Sequence, residues 1–103
     1  MEAIKRRVRV TAEYEVDITI MPSMFGQMSI EQFLEMWRKG LWDVEGIDDV
    51  AMYAACMAAL CGDGQYDGIW ELRSIFSSEA DTANVKYRIL SEDFDSEIIN
   101  GDV

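Results

Sequence analysis

Residues 8–20, VRVTAEYEVDITI, give the clearest structural signal in this chain, because apolar and polar side chains alternate along the whole stretch. Successive side chains of a strand point to opposite faces, so this pattern predicts a long strand with one apolar face and one solvated face. Pro22, the only proline, has no backbone N–H to donate to a sheet. We therefore expect the strand to end near Met21.

Two amphipathic helices are predicted after this strand. Ser29 followed by Gln32 fits a capping box, which typically opens a helix. Asp48 or Asp49 is expected to cap the second helix, and Gly62 to provide its left-handed exit. The apolar stripes of the two helices comprise Ile30, Phe33, Leu34 and Trp37, and then Val50, Tyr53, Ala54, Met57 and Leu60.

The C-terminal third of the chain predicts a β-hairpin. Val85, Tyr87 and Ile89 alternate with polar residues and indicate a second strand. A turn through residues 91–93 and a third strand with Phe94, Ser96 and Ile98 would complete the hairpin. Residues 69–76 fit either a short helix or a strand, and the helix is preferred.

These elements predict an α+β fold and a single domain over residues 1–103. The economical arrangement is a three-stranded antiparallel sheet, made of the long N-terminal strand and the C-terminal hairpin, with two to three helices packed on one face. On the open face, Lys86 and Arg88 are expected opposite Glu13, Glu15 or Asp17.

Negative charge is concentrated in two parts of the chain. The net charge is −11, but residues 1–9 carry +3, which leaves −14 on the remainder. Residues 40–72 hold seven carboxylates and no Lys or Arg, and a second acidic run extends from Glu92 to Asp102. The candidate partner-binding residues are Asp43, Glu45, Asp48, Asp49, Asp63, Asp67, Glu71, Glu92, Asp93 and Asp95, with Trp42 as an apolar anchor.

The residue types predict a protein that is not an enzyme, with no catalytic residues, no cofactor and no metal. The chain has no histidine, which removes the usual general base and metal ligand. The loop Gly62–Gly68 lacks the residue order of a calcium loop, so ordinary turn chemistry is favoured for Asp63 and Asp67. Cys56 and Cys61 are expected to be two buried free thiols.

Charge and hydropathy also restrict the partners. A −14 surface repels phosphates, so direct nucleic-acid binding is not expected. The apolar stretches are shorter than the ~20 residues that span a bilayer, and no secretory signal pattern precedes the strand, so a cytoplasmic protein without a membrane partner is expected. The carboxylates have two possible roles, which are solubility and imitation of a polyanion that enters a basic groove.

The strand VRVTAEYEVDITI, the helical middle and the closing VKYRILSEDFDSEII resemble small acidic proteins of phages and prophages, including anti-CRISPR and anti-restriction inhibitors. The resemblance implies a stoichiometric inhibitor that blocks a basic nucleic-acid-binding protein or complex in the bacterial host cell. The basic start at residues 5–9 departs from a uniformly anionic mimic. The alternative is a small structural or assembly protein that forms a homodimer through a Met/aromatic surface, and the sequence leaves monomer and homodimer open. That surface comprises Met21, Met24, Phe25, Met28 and Trp42.

Overall fold

The computed structural model describes residues 2–101, so Asp102 of the second acidic run lies outside the described residues. Residues 2–101 form four strands and two α-helices, with short 3-10 turns at Pro22–Met24 and Ala80–Thr82. In chain order they are β1 (Arg7–Ile20), α1 (Ile30–Gly40), α2 (Ile47–Leu60), β2 (Gly64–Tyr66), β3 (Trp70–Ser74) and β4 (Val85–Asn100).

The predicted long strand is confirmed as β1. It ends at Ile20, and the chain then turns into the 3-10 helix that begins at Pro22. The Met21 N–H donates to the carbonyl oxygen of Asn84 at 2.9 Å, which is the last backbone bond before the proline.

The capping box of α1 is confirmed, whereas the predicted cap of α2 is wrong. Ser29 Oγ accepts from the Gln32 N–H at 3.2 Å, and the Gln32 side chain accepts from the Ser29 N–H at 2.9 Å. The N-cap of α2 is Gly46, which has no side chain to accept a bond. Asp49 lies within the first turn and accepts the N–H of Glu45 at 2.7 Å, so it stabilises the helix start from inside. Gly62 supplies the left-handed exit with φ +78°, as predicted.

The sheet differs from the predicted one in both strand number and direction. It has four strands in the order β1-β4-β3-β2, and β3 runs parallel to β4 while the other neighbours are antiparallel. The sheet is therefore mixed, and the three-stranded antiparallel prediction is wrong, although the α+β class is confirmed.

The preference for a helix in residues 69–76 is also wrong, because these residues contain β3. Leu72 is fully buried and pairs with Val85 of β4 and Gly64 of β2. Val85 is distant in sequence, and Gly64 lies across the turn that joins β2 to β3. The strand conformation is therefore selected by tertiary pairing that the local pattern does not reveal.

The predicted C-terminal hairpin is replaced by one continuous strand, β4. The pairing runs from Glu15↔Ser91 to Val16↔Ile89, so Leu90 is an extra residue in a β-bulge. Apolar residues occupy odd positions before the bulge and even positions after it. This change of pattern resembles a break between two strands. Residues 91–93 contain no Gly, Asn or Pro and remain extended.

Both helices share one core with the inner face of the sheet. The largest buried side chains are Leu34 and Trp37 of α1, Val50 of α2, Leu72, Val85 and Ile69. Both cysteines are free as predicted but exposed, so their predicted burial is wrong. Among residues 2–101, no helix is long and apolar enough to cross a bilayer.

Candidate functional site

The outer halves of β1 and β4 form a two-stranded ribbon that extends beyond the core. Residues 7–13 pair with residues 93–100, and every residue of both segments is exposed. The radius of gyration is 18.0 Å, and the molecule measures 63 × 33 × 23 Å. A compact chain of about 100 residues has a radius near 13 Å. The ribbon therefore dominates the shape of the protein.

One face of this ribbon gathers carboxylates from both strands. Glu13 lies directly opposite Asp93, while Asp95 lies opposite Thr11 and Glu15 lies opposite Ser91. Alternate residues share a face, so these four side chains point the same way. We call Glu13, Glu15, Asp93 and Asp95 the acidic ribbon face. Within residues 2–101, none of the four forms a salt bridge.

Cations are placed at the two ends of this face instead of at its centre. Arg9 forms a salt bridge with Glu97 at 2.9 Å near the ribbon tip. Arg88 lies opposite Asp17 at the other end, as predicted. Lys86 lies opposite Thr19 instead of an acidic residue. The centre of the face keeps its negative charge because the nearest strand partners of its acids are acidic or hydroxylic.

The spacing of these carboxylates approaches that of a nucleic-acid strand. Residues 11–15 of β1 span about 14 Å at ~3.4 Å per residue, and directly opposed side chains lie roughly 5 Å apart. The four carboxylates thus give one charge per roughly 4 Å of ribbon. A single nucleic-acid strand carries one per ~3.4 Å of axis and a duplex one per ~1.7 Å. Pairing with β4 therefore supplies the second row that β1 alone lacks.

The sequence pattern places only part of this face. Asp93 and Asp95 belong to the predicted acidic run, but a turn at residues 91–93 would have folded them away from β1. Glu92, predicted with them, lies on the opposite face of the ribbon, across from Tyr14. Glu13 and Glu15 are visible in the sequence as a row on a predicted strand. They form a two-row acidic face only together with Asp93 and Asp95 of β4. Local sequence patterns do not predict that these residues pair with this part of β1.

A second acidic surface surrounds the start of α2. It contains Asp43, Glu45, Asp48 and Asp49, next to Trp42. Trp42 is 44% exposed, and its ring packs edge-on against Trp37 at 4.9 Å and Tyr53 at 5.0 Å. Arg38 donates from Nε to the carbonyl oxygen of Val44 at 2.9 Å, so a cation lies beside this surface. We call these five residues, Trp42 with the four acids, the helix-start surface.

The two acidic surfaces are separate. The far end of α2 contacts the base of the ribbon, where Leu60 and Ala59 line a groove with Ala12. The helix-start surface lies at the opposite end of this helix, which is about 20 Å long at 1.5 Å per residue. The structure therefore does not combine the predicted acids into one strip.

Two of the predicted partner-binding acids, Asp63 and Glu71, have partners within the fold. Asp63 Oδ1 accepts from the Ser74 N–H at 3.0 Å and from the Tyr87 hydroxyl at 2.6 Å. Burial, followed by this hydrogen bond, raises the pKa of Tyr87 to about 12. Glu71 is half-buried, with Oε1 3.4 Å from Gln65 Nε2. Asp63 and Glu71 thus stabilise the fold.

An apolar groove lies between α1 and the turn that joins β2 to β3. Its volume is about 240 Å³, below the ~300 Å³ where small-molecule sites begin. It is lined by Phe33, Met36, Trp37, Gly40, Leu41, Asp67, Gly68 and Trp70. Asp67 is the one carboxylate in this lining, so no pair of acids converges there.

The predicted Met/aromatic surface is largely part of the core. Met24 is buried, and Phe25 packs edge-on against Phe33 at 5.1 Å. Of the five residues of the predicted Met/aromatic surface, Trp42 alone is exposed. Comparison with protein-family models, curated proteins and solved structures finds no match to this chain.

Proposed function

We propose that this chain is a non-enzymatic inhibitor of the phage type, which inserts its acidic ribbon face into the basic nucleic-acid-binding surface of a host defence complex. The observation that carries the proposal is the cross-strand pair of Glu13 and Asp93. Like charges directly opposite each other destabilise a pair of strands. A basic partner would remove that repulsion on binding, so the pair favours the bound state over the free one.

The shape of the ribbon suits this role. Two strands lie about 4.8 Å apart, so the ribbon is narrow, and it presents its acids on an exposed face. Electrostatic attraction between opposite surfaces accelerates encounter and selects basic partners. The chain also places Arg9 and Arg88 at the two ends of the face, which restricts the anionic segment to a defined length.

The decisive experiment compares the two acidic surfaces at equal charge. One variant, Glu13→Gln with Asp93→Asn, removes two carboxylates from the acidic ribbon face. The control, Asp43→Asn with Asp48→Asn, removes two exposed carboxylates from the helix-start surface. Each protein is immobilised, incubated with bacterial lysate at several salt concentrations, and eluted with duplex DNA or RNA. Captured proteins are identified by mass spectrometry.

We expect the wild-type protein and the control to retain nucleic-acid-binding proteins that DNA or RNA displaces, and the ribbon variant to lose them. Capture should weaken as salt rises, because surface charges are screened within about 8 Å at ~0.15 M ionic strength. Equal losses in both variants would show that net charge alone attracts these proteins. Capture that neither competitor nor salt affects would reject the proposed mechanism.

A further inference from the structure

The ribbon face opposite the acids is apolar and uncovered. It contains Val8, Val10, Ala12, Phe94 and Ile98, which we call the apolar ribbon face. Val10 is 64%, Phe94 59% and Ile98 65% exposed. Tyr14 packs edge-on against Phe94 at 5.8 Å, at the base of this face. A two-stranded ribbon is marginally stable alone in water, so an exposed apolar face of this kind requires a cover.

Helix α2 covers the base of the ribbon on the side of the apolar ribbon face. This helix packs on the same side of the sheet, and its last turn lies beside Ala12 and Tyr14. The helix ends at Leu60, which is 78% exposed, and the ribbon continues past it without a neighbour in residues 2–101. Stacked sheets lie about 10 Å apart, so a further layer of strands on this face would continue the layer that α2 begins.

We infer that a second copy of this chain fills this layer, with the two apolar ribbon faces packed together and the ribbons antiparallel. A two-fold axis near Val10 and Ser96, which pair across the ribbon, would place each ribbon tip against the end of the other copy's α2. Each Leu60 would then be covered by the opposite tip. The surface differs from the Met/aromatic surface predicted from the sequence.

The charges of the ribbon favour this antiparallel arrangement. Glu92 is the one acidic residue on the apolar side of the ribbon within the described chain, and it lies at the base, opposite Tyr14. The tip carries Lys5, Arg6 and Arg7. The last turn of α2 has no basic residue, although the C-terminal end of a helix attracts cations. Antiparallel packing brings the basic tip of one copy close to Glu92 and to the C-terminal end of α2 in the other copy.

The contact area between the two copies determines the expected affinity of the dimer. An interface of ~800 Å² per partner uses 20–30 residues on each side, and the ribbon face with the end of α2 offers about half that number. The two copies would thus bury about 800 Å² in total, below the ~1,200 Å² at which stable specific interfaces begin and in the range of weak, transient association. We therefore expect dissociation in the micromolar range. Both acidic ribbon faces would remain outward on opposite sides of the dimer.

Sedimentation velocity of the full chain, from roughly 1 to 100 μM, tests the association at micromolar strength. The salt concentration is about 0.15 M, which screens the repulsion between two acidic chains. Phe94→Thr removes an apolar side chain from the apolar ribbon face and keeps a strand-forming residue. Phe76→Thr is the matched control, because Phe76 is 80% exposed but lies in the loop between β3 and β4. Circular dichroism verifies that both variants fold.

We expect the wild-type protein and Phe76→Thr to reach twice the monomer mass, and Phe94→Thr to require at least about a tenfold higher concentration. A wild-type protein that stays monomeric at the highest concentration overturns the inference, as does a dimer that Phe94→Thr leaves intact. Equal weakening by both variants would also overturn it, since it would indicate unspecific apolar contact.

The orientation is tested by cross-linking. Ser96→Cys, in a chain whose Cys56 and Cys61 are replaced by serine, places a thiol near the proposed two-fold axis. A short bismaleimide should join two copies through residue 96 and fail to join them through the control Asp95→Cys, which lies on the acidic face. Cross-linking at residue 95 but not at residue 96 would contradict the proposed face. The cross-linking reaction contains only this protein and no basic partner, so its result is independent of the proposed inhibitor function.

Discussion

Glu13 of β1 and Asp93 of β4 lie directly opposite each other in an antiparallel pair, on an exposed face where neither meets a cation within the described residues. Opposed side chains of neighbouring strands are roughly 5 Å apart, so the two carboxylates repel each other. The two strands contain four cations, but these lie away from the pair, at Arg7, Arg9, Lys86 and Arg88. The register therefore retains a local electrostatic cost.

Replacing one of these acids by a cation should stabilise the ribbon. Glu13→Lys converts the repulsion into a cross-strand ion pair with Asp93, worth about 0.2–1 kcal/mol. Amide hydrogen exchange should show about 1.4- to 5-fold higher protection in residues 9–15. Glu2→Lys makes the same change of charge outside the strands and should leave this protection unchanged. Protection that falls or stays constant in Glu13→Lys would contradict the repulsion.

The same surface should decide the biological effect. Under the proposed function, expression of this protein in bacteria that carry a restriction or CRISPR defence should raise the plating efficiency of a phage that the defence blocks. Glu13→Gln with Asp93→Asn should abolish this rise, because the anionic centre of the ribbon is lost. Asp43→Asn with Asp48→Asn should preserve it at equal expression. An unchanged effect in the ribbon variant would refute the role of the acidic ribbon face.

Stability should fall in the alkaline range because of Tyr87. Its hydroxyl is buried and donates to Asp63, which raises its pKa from 10.0 to about 12 in the folded protein. The folded state then holds the phenol proton more tightly than the unfolded chain. This contribution is fully present below pH 10 and is lost as the pH rises toward about 12.

Urea unfolding of the wild-type protein and of Tyr87→Phe measures this contribution. The free energy of unfolding of the wild-type protein should decrease more steeply between pH 10 and about 12, by at most about 3 kcal/mol more than in the variant. Burial also raises the pKa of Tyr53 and Tyr66, but both proteins keep these groups, so they cancel in the comparison. Parallel pH dependences would contradict the assignment.

Gly68 should tolerate no side chain. Its φ is +87°, and a Cβ atom there would lie 2.5 Å from the Cζ2 atom of Trp37. The indole of Trp37 is buried, and its Nε1 donates to the Gly68 carbonyl oxygen at 3.1 Å, so it cannot move aside freely. Gly68→Ala should therefore lower the free energy of unfolding by at least about 1–3 kcal/mol.

Gly40→Ala is the control for this substitution. Gly40 is the last residue of α1, and a Cβ there would meet nothing within 4 Å. Alanine at such a site leaves stability unchanged or raises it by about 0.5–1 kcal/mol. Urea or thermal unfolding of the two variants gives the comparison. Equal effects at residues 40 and 68 would show that the contact with Trp37 does not restrict Gly68.

Several elements of this fold could be predicted because their signals are local. The alternation of residues 8–20, the capping box of Ser29 and the exit at Gly62 each involve side chains close in sequence, and all three are present. The identity of β3 could not be predicted, because Leu72 is held between Gly64 and Val85. A bulge at Leu90 also produces the same shift of pattern as a turn.

In the candidate site, too, some features could be predicted from local sequence and others depend on distant residues. Local composition identifies Asp93 and Asp95 as members of an acidic run, and alternation identifies Glu13 and Glu15 as one row of a strand. Asp63 and Glu71 belong to an equally acidic segment, yet their carboxylates have partners inside the fold. Composition does not distinguish an acid that faces solvent from one that accepts a hydrogen bond from a distant strand.

Local patterns and composition are sufficient to predict which side of β1 is apolar, where α1 begins and that most of the chain carries excess negative charge. Those properties follow from side-chain periodicity and from counting, which need no knowledge of distant neighbours. The pairing of Glu13 with Asp93 and the exposure of Phe94 on the uncovered side depend instead on the three-dimensional fold. Strand register brings together residues about 80 positions apart, and a single bulge shifts which face each side chain occupies.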